Sequence, residues 1–431
     1  MKKNLVALAV AAAFVVPGVA FAADTSNADT GPVVFGYAQI TGAQQFGTTS
    51  APGEAGPSSG LVFGANRIRL GFKGEAVPGV TYFIMGAYDD AGLGVDGLNN
   101  GLGGGNVVTS TTNNVYGVNA SQAQLMDAWV NFAPVPFAQL QVGKFKTPEG
   151  LEYTSVAGNE LPFIYRNMGQ SLLPGRSAGA MFHADDVMGT GLGYAVGIFD
   201  NTSLDAGTAF TGLGNIGLGG IVPSDGQAPL MNGNGNYIVS GMLKYSMGPL
   251  LTAEVSGSLG NTKYGNPLNP GYTDQITSYN IGVTGGLMGI CYGAGYTRTN
   301  GGLGTYLDSA SQLTGTNTVN ASDWHAELAA NLYQMTLTPD WLDIEPAVRY
   351  DQYHVSDING TANGFGSLAN TTVGVNYFVN PNNPHAAEIQ LNYIIPTNRG
   401  GAFDYGYGTH GNAPMNGAAY NTLMLQFQAG F

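Results

Sequence analysis

Basic side chains are scarce in this chain and concentrated in its first half. Of the 14 Lys and Arg residues, seven lie between positions 67 and 176: Arg67, Arg69, Lys73, Lys144, Lys146, Arg166 and Arg176. Guanidinium groups offer two parallel donors to phosphate or carboxylate, so this cluster could attract small anions. The same region contains the acids Glu75, Asp127, Glu149, Glu152 and Glu160. Pairing of these acids with the bases is the alternative, in which the charges brace the structure instead of contacting a solute.

The other residues capable of chemistry do not form a catalytic or metal-binding motif. His325 lies between Asp323 and Glu327 at a spacing that puts all three on one strand face and could orient an imidazole. The pattern G-x-S-x-G occurs at 56–60 and 175–179, but no such serine motif gives His325 a nucleophile, and the sequence contains no H-E-x-x-H zinc motif. A single cysteine, Cys291, excludes an internal disulfide and any multi-cysteine metal or haem site. No cofactor, metal or enzymatic activity is predicted, and a hydrolase is the least favoured class.

The charged residues are carried by segments that alternate between apolar and polar residues. This period of two is typical of strands with one apolar and one polar face. Leu251 and Ala253, for example, alternate with Thr252 and Glu254. Each segment is near or above the length that a tilted membrane strand needs. Sixteen segments are predicted, at about 33–45, 61–75, 80–90, 120–133, 137–147, 176–186, 191–201, 237–247, 249–260, 275–286, 289–299, 321–335, 342–354, 368–380, 385–397 and 419–431.

Connections between the segments alternate between short and long. Short ones, such as 77–79 and 134–136, are rich in Pro and Gly. Short turns at one end and long loops at the other are the plan of outer-membrane β-barrels. The sequence therefore predicts an all-β, sixteen-stranded antiparallel transmembrane barrel. Its long outer loops are expected at about 46–60, 91–119, 148–175, 202–236, 261–274, 300–320, 355–367 and 398–418.

The third long connection, 148–175, differs from an ordinary loop. Pro148 ends the preceding strand because proline cannot donate to the ladder. The following residues combine charges with apolar side chains: Leu151, Tyr153, Leu161, Phe163, Ile164, Tyr165, Met168, Leu172 and Leu173. We expect this loop to fold into the barrel, pack its apolar residues against the wall and form the constriction. Unpaired guanidiniums of Arg67, Arg69 and Arg166, with Lys73, would then line one side.

The period of two also predicts which charges face the lumen. Leu70 and Phe72 take the lipid face of 61–75, so Arg67, Arg69 and Lys73 face inward, since a lipid-facing Arg costs about 2–4 kcal/mol at mid-membrane. Later strands direct acids inward, with Lys244 and Arg349 as the clear bases. These acids are Glu254, Asp323, Glu327, Asp343, Glu345, Asp351 and Glu388.

Lys144 and Lys146 do not fit this pattern. They share the parity of Leu140 and Val142, which points them away from the lumen. Two explanations stay open: a bulge starting at Gly143 that redirects them, or side chains that extend to the outer rim.

The N-terminal residues have the features of a secretory signal. Lys2 and Lys3 precede an apolar core over 5–16, and Ala20–Ala22 form an A-x-A cleavage site. Cleavage would remove residues 1–22, leave 23–431 as the barrel, and change the net charge from −14 to −16 because both lost charges are lysines. Such an acidic chain is not expected to bind nucleic acid. The predicted location is the outer membrane of a Gram-negative bacterium.

Part of the first half resembles the phosphate-selective porin O/P family. The matching stretches are RIRLGFKG (67–74), DAWVNF (127–132), LQVGKFKTPEGLE (140–152), LLPGRSAG (173–179) and YAVGIFDN (194–201). The resemblance implies a sixteen-stranded barrel, a homotrimer and a channel for small anions. The sequence departs from the family in its acidic charge and in lacking a long ladder of arginines. The resemblance therefore supports the barrel fold more strongly than it supports phosphate as the transported solute.

These observations predict a porin: a water-filled channel for passive diffusion of small ions and solutes, with a weak preference for anions or phosphate. The terminal Phe431 closes an amphipathic strand and resembles the signal recognised by the outer-membrane assembly machinery. The main alternative is a non-conducting structural or partner-binding barrel, such as an adhesin or the sheath of an electron conduit.

Overall fold

A computed structural model describes residues 32–47, 61–88, 124–135, 137–200, 237–263, 273–307, 313–339, 341–358, 366–397, 417–418 and 420–431. The predicted signal peptide and most of the long outer connections lie outside these ranges.

The described chain forms a closed antiparallel barrel of sixteen strands, each paired with its neighbours in sequence. The strands are β1 (Val33–Phe46), β2 (Val62–Val77), β3 (Val80–Ala87), β4 (Gln124–Val135), β5 (Ala138–Lys146), β6 (Arg176–Ala184), β7 (Leu192–Asp200), β8 (Tyr237–Ser246), β9 (Thr252–Lys263), β10 (Thr273–Leu287), β11 (Ile290–Leu307), β12 (Leu313–Ala330), β13 (Asp343–Ile358), β14 (Gly366–Phe378), β15 (Ala387–Thr397) and β16 (Asn421–Gly430). The predicted number and order of strands are confirmed.

Pairing of the first strand with the last closes the barrel. Tyr37 of β1 lies opposite Gly430 of β16, and the backbones of Gly36 and Phe431 exchange hydrogen bonds of 3.1 and 2.9 Å. A side chain on Gly36 would come within 3.1 Å of the Phe431 ring, so glycine leaves room for the terminal aromatic. Closure removes the unpaired edges that an open sheet would expose.

The two faces of the wall differ in polarity as the period of two predicts. Exposed apolar side chains on the outer face include Leu70, Phe72, Ile84, Val130, Val142, Val196, Ile198, Val239, Leu243, Val255, Leu259, Ile281, Leu328, Val348, Val373, Val375, Leu391, Leu425 and Phe427. Inner positions on the same strands are largely polar, for example Gln39, Ser258, Asn376 and Gln426, each at most 4% exposed. An apolar exterior around a polar interior suits a barrel that crosses a lipid bilayer.

The structure corrects some boundaries. The predicted outer loop 300–320 is largely strand, because β11 continues to Leu307 and β12 begins at Leu313. The predicted strand 321–335 instead ends at Ala330, where a turn follows. The Gly-, Asn- and Thr-rich residues of 300–320 lack apolar alternation, so their backbone pairing gave no signal in the sequence.

In the described ranges, helical structure is confined to short segments. Within the connection 148–175, a helix, α1, spans Leu151–Ser155 and a 3-10 helix spans Met168–Leu172. Another 3-10 helix spans Pro384–Ala386 before β15.

Among the described residues, no helix has the length and apolar character to cross a membrane.

Candidate functional site

Residues 148–175 lie inside the barrel and are called the inner loop below. All of its predicted packing residues are buried, from Ile164, Met168 and Leu172 at 0% exposure to Tyr165 at 7%. Ile164 and Tyr165 pack with inward-facing apolar residues of β1, β15 and β16, and Phe163 packs against β12 and β13. The apolar side of the inner loop therefore contacts the wall, as the sequence predicts.

Polar side chains of β9 and β10 hold the start of the inner loop. The backbone N–H of Gly150 donates to Ser256 Oγ at 3.1 Å, and the hydroxyl of Ser278 donates to Glu149 Oε2 at 2.8 Å. The N–H of Leu151 donates to Asn280 Oδ1 at 3.3 Å. These contacts place the loop against strands distant in sequence from β5 and β6, which it connects.

Amide side chains of β14 and β15 bind the middle of the inner loop. Asn376 donates to the carbonyl of Pro162 at 3.0 Å, and Gln390 donates to that of Leu161 at 2.8 Å. Asn392 Oδ1 accepts from the N–H of Ile164 at 2.9 Å. An unpaired buried backbone group would be costly, so these amides supply partners for an irregular segment.

Arg349 of β13 binds the loop where it crosses the lumen. Its guanidinium donates to the carbonyls of Tyr165 and Arg166 at 2.9 and 3.2 Å and lies 4.7 Å from the centroid of the Phe163 ring. The side chain is 3% exposed. Arg349 thus combines hydrogen bonds with a cation–π contact at one point of the loop.

Arg67 and Arg166 also bind backbone carbonyls, which corrects the expectation that their guanidiniums are unpaired. Arg67 donates to Gln39 Oε1 at 2.8 Å and to the carbonyl of Ile164 at 3.2 Å. Arg166 donates to the carbonyls of Glu152 and Val156 at 2.6 and 2.5 Å. The inner loop folds back on itself, so its own carbonyls come within reach of these cations.

Arg176 pairs with Asp127 at the base of the inner loop. Arg176 Nε lies 3.0 Å from Asp127 Oδ2 and 3.1 Å from Oδ1, while Asp127 is only 6% exposed. Of the acid–base pairs that the bracing alternative requires, this one is present in the described structure.

Lys144 and Lys146 are redirected without a β-bulge at Gly143. The registers with β4 and β6 pass through Gly143 without a shift, but its φ of +135° lies in a region that L-residues rarely adopt. Lys144 is 2% exposed and donates to the carbonyl of Leu125 at 2.6 Å. Lys146 donates to the carbonyl of Tyr153 at 2.5 Å and therefore contacts the inner loop. Neither lysine extends to an exposed rim.

The other predicted site residues occupy different environments. Arg69 is 9% exposed, and Lys73 lies half-buried with its ammonium 5.7 Å from the centroid of the Phe35 ring. Glu152 accepts from the N–H and the side-chain amide of Asn167, which joins the two limbs of the inner loop. Glu160 is exposed.

Glu149 is the most enclosed acid of the inner loop, with 0% exposure. Burial is the main cause that raises its pKa, hydrogen bonds from Ser258 and Ser278 lower it, and the neighbouring Glu254 carboxylate raises it; the net result is a pKa of about 7. One of its oxygens, Oε1, lacks a hydrogen-bond partner among the described residues. This acid therefore changes charge near neutral pH.

The wall from β9 to β15 presents acids to the inner loop. Asp323 is 1% exposed and Glu254 2%, and Oε2 of both Glu254 and Glu327 lacks a hydrogen-bond partner in the described part of the chain. Glu327 and His325 line a cavity of about 40 Å³ between α1 and β10–β12. That volume could hold a few water molecules, each of which needs roughly 10–15 Å³.

His325 belongs to a polar network instead of a catalytic triad. Its Nδ1 lies 3.7 Å from Asp323 Oδ1, and its Nε2 lies 3.5 Å from the side-chain amide nitrogen of Asn167. Across the described ranges, no three His, Cys, Asp or Glu side chains are grouped so that they could hold a metal ion.

Most of the side chains that hold the inner loop were not predicted from the sequence. Gln39, Asn280, Asn376, Gln390 and Asn392 are uncharged, so they did not stand out among many lumen amides. Their inward parity on predicted strands was the available signal. The loop segment that each one binds could not be inferred before the barrel was closed.

Solved structures with the same fold are bacterial outer-membrane proteins. An anion-selective porin from Comamonas acidovorans aligns with a TM-score of 0.54 at 12% identity, covering 93% of this chain and 99% of that chain. The channel DcaP of Acinetobacter baumannii gives 0.53 and 10%, with 93% and 97% covered. OmpT of Vibrio cholerae, in its trimer form, gives 0.53 and 8%, with 93% and 99% covered.

No protein-family model matches the chain, and no curated protein matches its sequence. The structural likeness establishes a porin-type barrel fold, and this fold and the apolar exterior agree with the predicted location in the outer membrane of a Gram-negative bacterium. The resemblance to the phosphate-selective porin O/P family stays a prediction.

Proposed function

We propose that the protein is a porin, a channel through which small ions and solutes diffuse passively, and that the inner loop forms its narrowest part. The observation that carries this proposal is a polar-lined closed barrel with a long loop docked across its interior. Hydrogen bonds join that loop to β1, β2, β9–β11 and β13–β16. A segment held at so many points can keep a fixed opening, whereas a loosely attached one would not.

Conductance of the purified protein in planar bilayers tests this proposal. We expect stepwise current increases in KCl, each corresponding to one inserted channel or one trimer. Folded protein that inserts into the bilayer without carrying current would contradict it.

A weak anion preference is proposed from the bases on the β2 side. Arg67 donates hydrogen bonds to carbonyls of the inner loop. Its charge and those of Arg69 and Lys73 still contribute a positive potential on this side of the lumen. The acids of β9–β15 oppose it. At the constriction, the nearby bases should contribute more to the electrostatic potential than the more distant acids, because the Debye length is about 8 Å at physiological salt.

The test of this preference compares the native channel with Arg67→Ala/Arg69→Ala by reversal potential across a KCl gradient. The anion-to-cation permeability ratio should fall in the variant. An unchanged ratio and conductance would show that both arginines act only in the structure. Phosphate as the preferred anion rests on the family resemblance alone.

A non-conducting barrel is the second candidate, favoured by one observation. Many inner-face side chains that meet the inner loop are almost fully buried, among them Asn280, Asp351, Asn376, Gln390 and Gln428, each at most 5% exposed. Such a filled interior would suit a structural or partner-binding barrel. The bilayer experiment above separates the two, and we favour the channel. An enzymatic role is not proposed.

Two further proposals concern assembly. A homotrimer is inferred from the family resemblance, and crosslinking that yields monomers alone would contradict it. Phe431 is proposed as part of the signal for membrane insertion. Its removal should reduce the heat-modifiable folded band on a gel, and an undiminished band would exclude that role.

A further inference from the structure

Three aromatic side chains form a continuous row on the inner face of β1, β3 and β4. The Phe35 and Phe83 ring centroids lie 5.0 Å apart, and those of Phe83 and Trp129 lie 5.4 Å apart with planes only 7° from parallel. All three side chains are half-buried. We call Phe35, Phe83 and Trp129 the aromatic row.

The direction of the row follows from its neighbours on each strand. Ile84 and Val130 are exposed on the lipid face at 46% and 37%, so the adjacent Phe83 and Trp129 point inward. Because these rings face the lumen, they do not belong to the aromatic girdles that contact the membrane interfaces. Ordinary membrane anchoring therefore does not account for them.

A glycine makes the row continuous. Gly71 of β2 lies opposite Phe35, and a Cβ there would come within 2.4 Å of Phe35 Cζ. The Phe35 ring therefore lies over Gly71 and reaches Phe83 across the intervening strand. Gly143, opposite Trp129 on β5, adds no side chain at the other end.

A cation lies beside the row. Lys73 is directly opposite Phe83 in the register of β2 and β3, and Phe83 is directly opposite Trp129. Lys73, Phe83 and Trp129 thus occupy one level of three adjacent strands, spaced about 4.8 Å apart. The Lys73 side chain is half-buried, and its ammonium lies 5.7 Å from the centroid of the Phe35 ring.

We propose that the aromatic row and Lys73 form a binding site for small aromatic carboxylates on their way through the channel. The solute ring would pack on Phe83 and Trp129, and its carboxylate would contact the ammonium of Lys73. Aromatic contacts add only a small favourable free energy beyond that from the apolar area that they bury. The affinity of this site for its solute is therefore low. Low affinity suits passage through the channel, because a solute that binds tightly would block the pore. This inference rests on the proposed channel function and specifies a class of solute for it.

The experiment compares three probes in planar bilayers: benzoate, acetate and benzyl alcohol. Benzoate has both ring and charge, acetate has the charge alone, and benzyl alcohol has the ring alone. We expect benzoate to interrupt the KCl current in the millimolar range, with the other two having little effect. Trp129→Ala and Lys73→Met should each weaken the benzoate effect about tenfold, which corresponds to 1.4 kcal/mol.

Trp341→Phe is the matched control, because Trp341 is 74% exposed and outside the row, and it should leave the benzoate effect unchanged. Equal effects of benzoate and acetate, or of benzoate and benzyl alcohol, would overturn the proposal. A benzoate effect that persists in both site variants would also overturn it.

Fluorescence keeps this test separate from the proposed channel function. A Trp324→Phe/Trp341→Phe variant retains Trp129 as its sole tryptophan. Quenching by benzoate, reduced by the further change Lys73→Met, would support the site even in protein that carries no current. A conducting channel whose Trp129 fluorescence is unchanged by benzoate would overturn this inference and leave the channel function intact.

Discussion

The lumen has a basic side and an acidic side, and the inner loop contacts both. On the basic side, Arg67 and Arg166 donate to loop carbonyls, and Arg176 pairs with Asp127. On the acidic side, Oε2 of Glu254 and of Glu327 lacks a hydrogen-bond partner among the described residues. The bases are thus largely engaged in positioning the loop, whereas these buried acid oxygens hold no part of it by a hydrogen bond. Selectivity then depends on which charges are engaged in structure, and a count of charges alone does not predict it.

Shortening the inner loop should have the largest effect, because the loop joins the two sides. Replacing 151–172 by a few glycines would remove both helical turns and the contacts to Arg349. We expect single-channel conductance in KCl to increase several-fold. Conductance that stays equal or decreases, in protein with a normal heat-modifiable band, would show that the loop does not limit the current.

Arg349→Met would test how strongly the acidic side holds the loop. The change removes the donors to the Tyr165 and Arg166 carbonyls and keeps an apolar side chain of similar length. Each buried acceptor left unsatisfied costs about 1–3 kcal/mol, so loss of both should weaken docking by roughly 2–6 kcal/mol, and current noise should increase.

Arg298→Met is the control for that change. Arg298 lies on β11 and bonds Asn300 at 3.3 Å. The current through the Arg298→Met channel should match that through the native channel. Similar noise in both variants would assign the effect to a general loss of stability.

Docking of the inner loop should weaken as pH rises. Glu149 has a pKa of about 7 when docked and about 4.3 when exposed. Docked protein therefore binds more protons between these values, and its stability falls across that window by up to ~4 kcal/mol. Noise should increase from pH 4.5 to 7 and then level off. Glu149→Gln should remove this dependence, and a pH response that survives the substitution would assign it to another group.

Neutralising acids on the acidic side should have the smallest effect. The direction of the resulting shift in reversal potential distinguishes the acidic side from the basic side. Asp323→Asn/Glu327→Gln should shift the reversal potential toward anions, opposite to Arg67→Ala/Arg69→Ala. Because salt screens such charges over about 10 Å at 0.1 M, a roughly twofold change in permeability ratio is expected. Shifts of the same sign in both double variants would contradict the division into two sides.

The sequence predicted the wall better than the interior contacts. Strand parity depends on a local alternation, so the outward Leu70 and the inward Asp323 could be assigned without coordinates. The inner loop was also predictable, because Phe163, Ile164 and Leu172 are too apolar for an exposed connection. These features need only local information.

The interior contacts that were not predicted depend on strand pairing and on closure of the barrel. Asn392 binds Ile164 across 228 positions, and only the pairing of β1 with β16 fixes which strands face the loop. Lys144 was unassigned because the redirecting feature is the backbone angle of Gly143, which a glycine permits but does not specify. The aromatic row was missed because Phe83 and Trp129 become neighbours only through strand register.

A reversible crosslink between the inner loop and the wall tests most directly whether the docked loop is the conducting state. A Cβ at Gly169 would lie 3.1 Å from Thr297 Oγ1, with Asp323 Oδ1 at 2.7 Å and Asn167 Oδ1 at 2.9 Å, so cysteines at positions 169 and 297 can form a disulfide once these two side-chain oxygens move aside. We would measure single-channel conductance of Gly169→Cys/Thr297→Cys, in a Cys291→Ser background, before and after reduction. The docked-loop account predicts equal conductance in both states. Current that appears only after reduction would show that the loop must leave the wall for the channel to open.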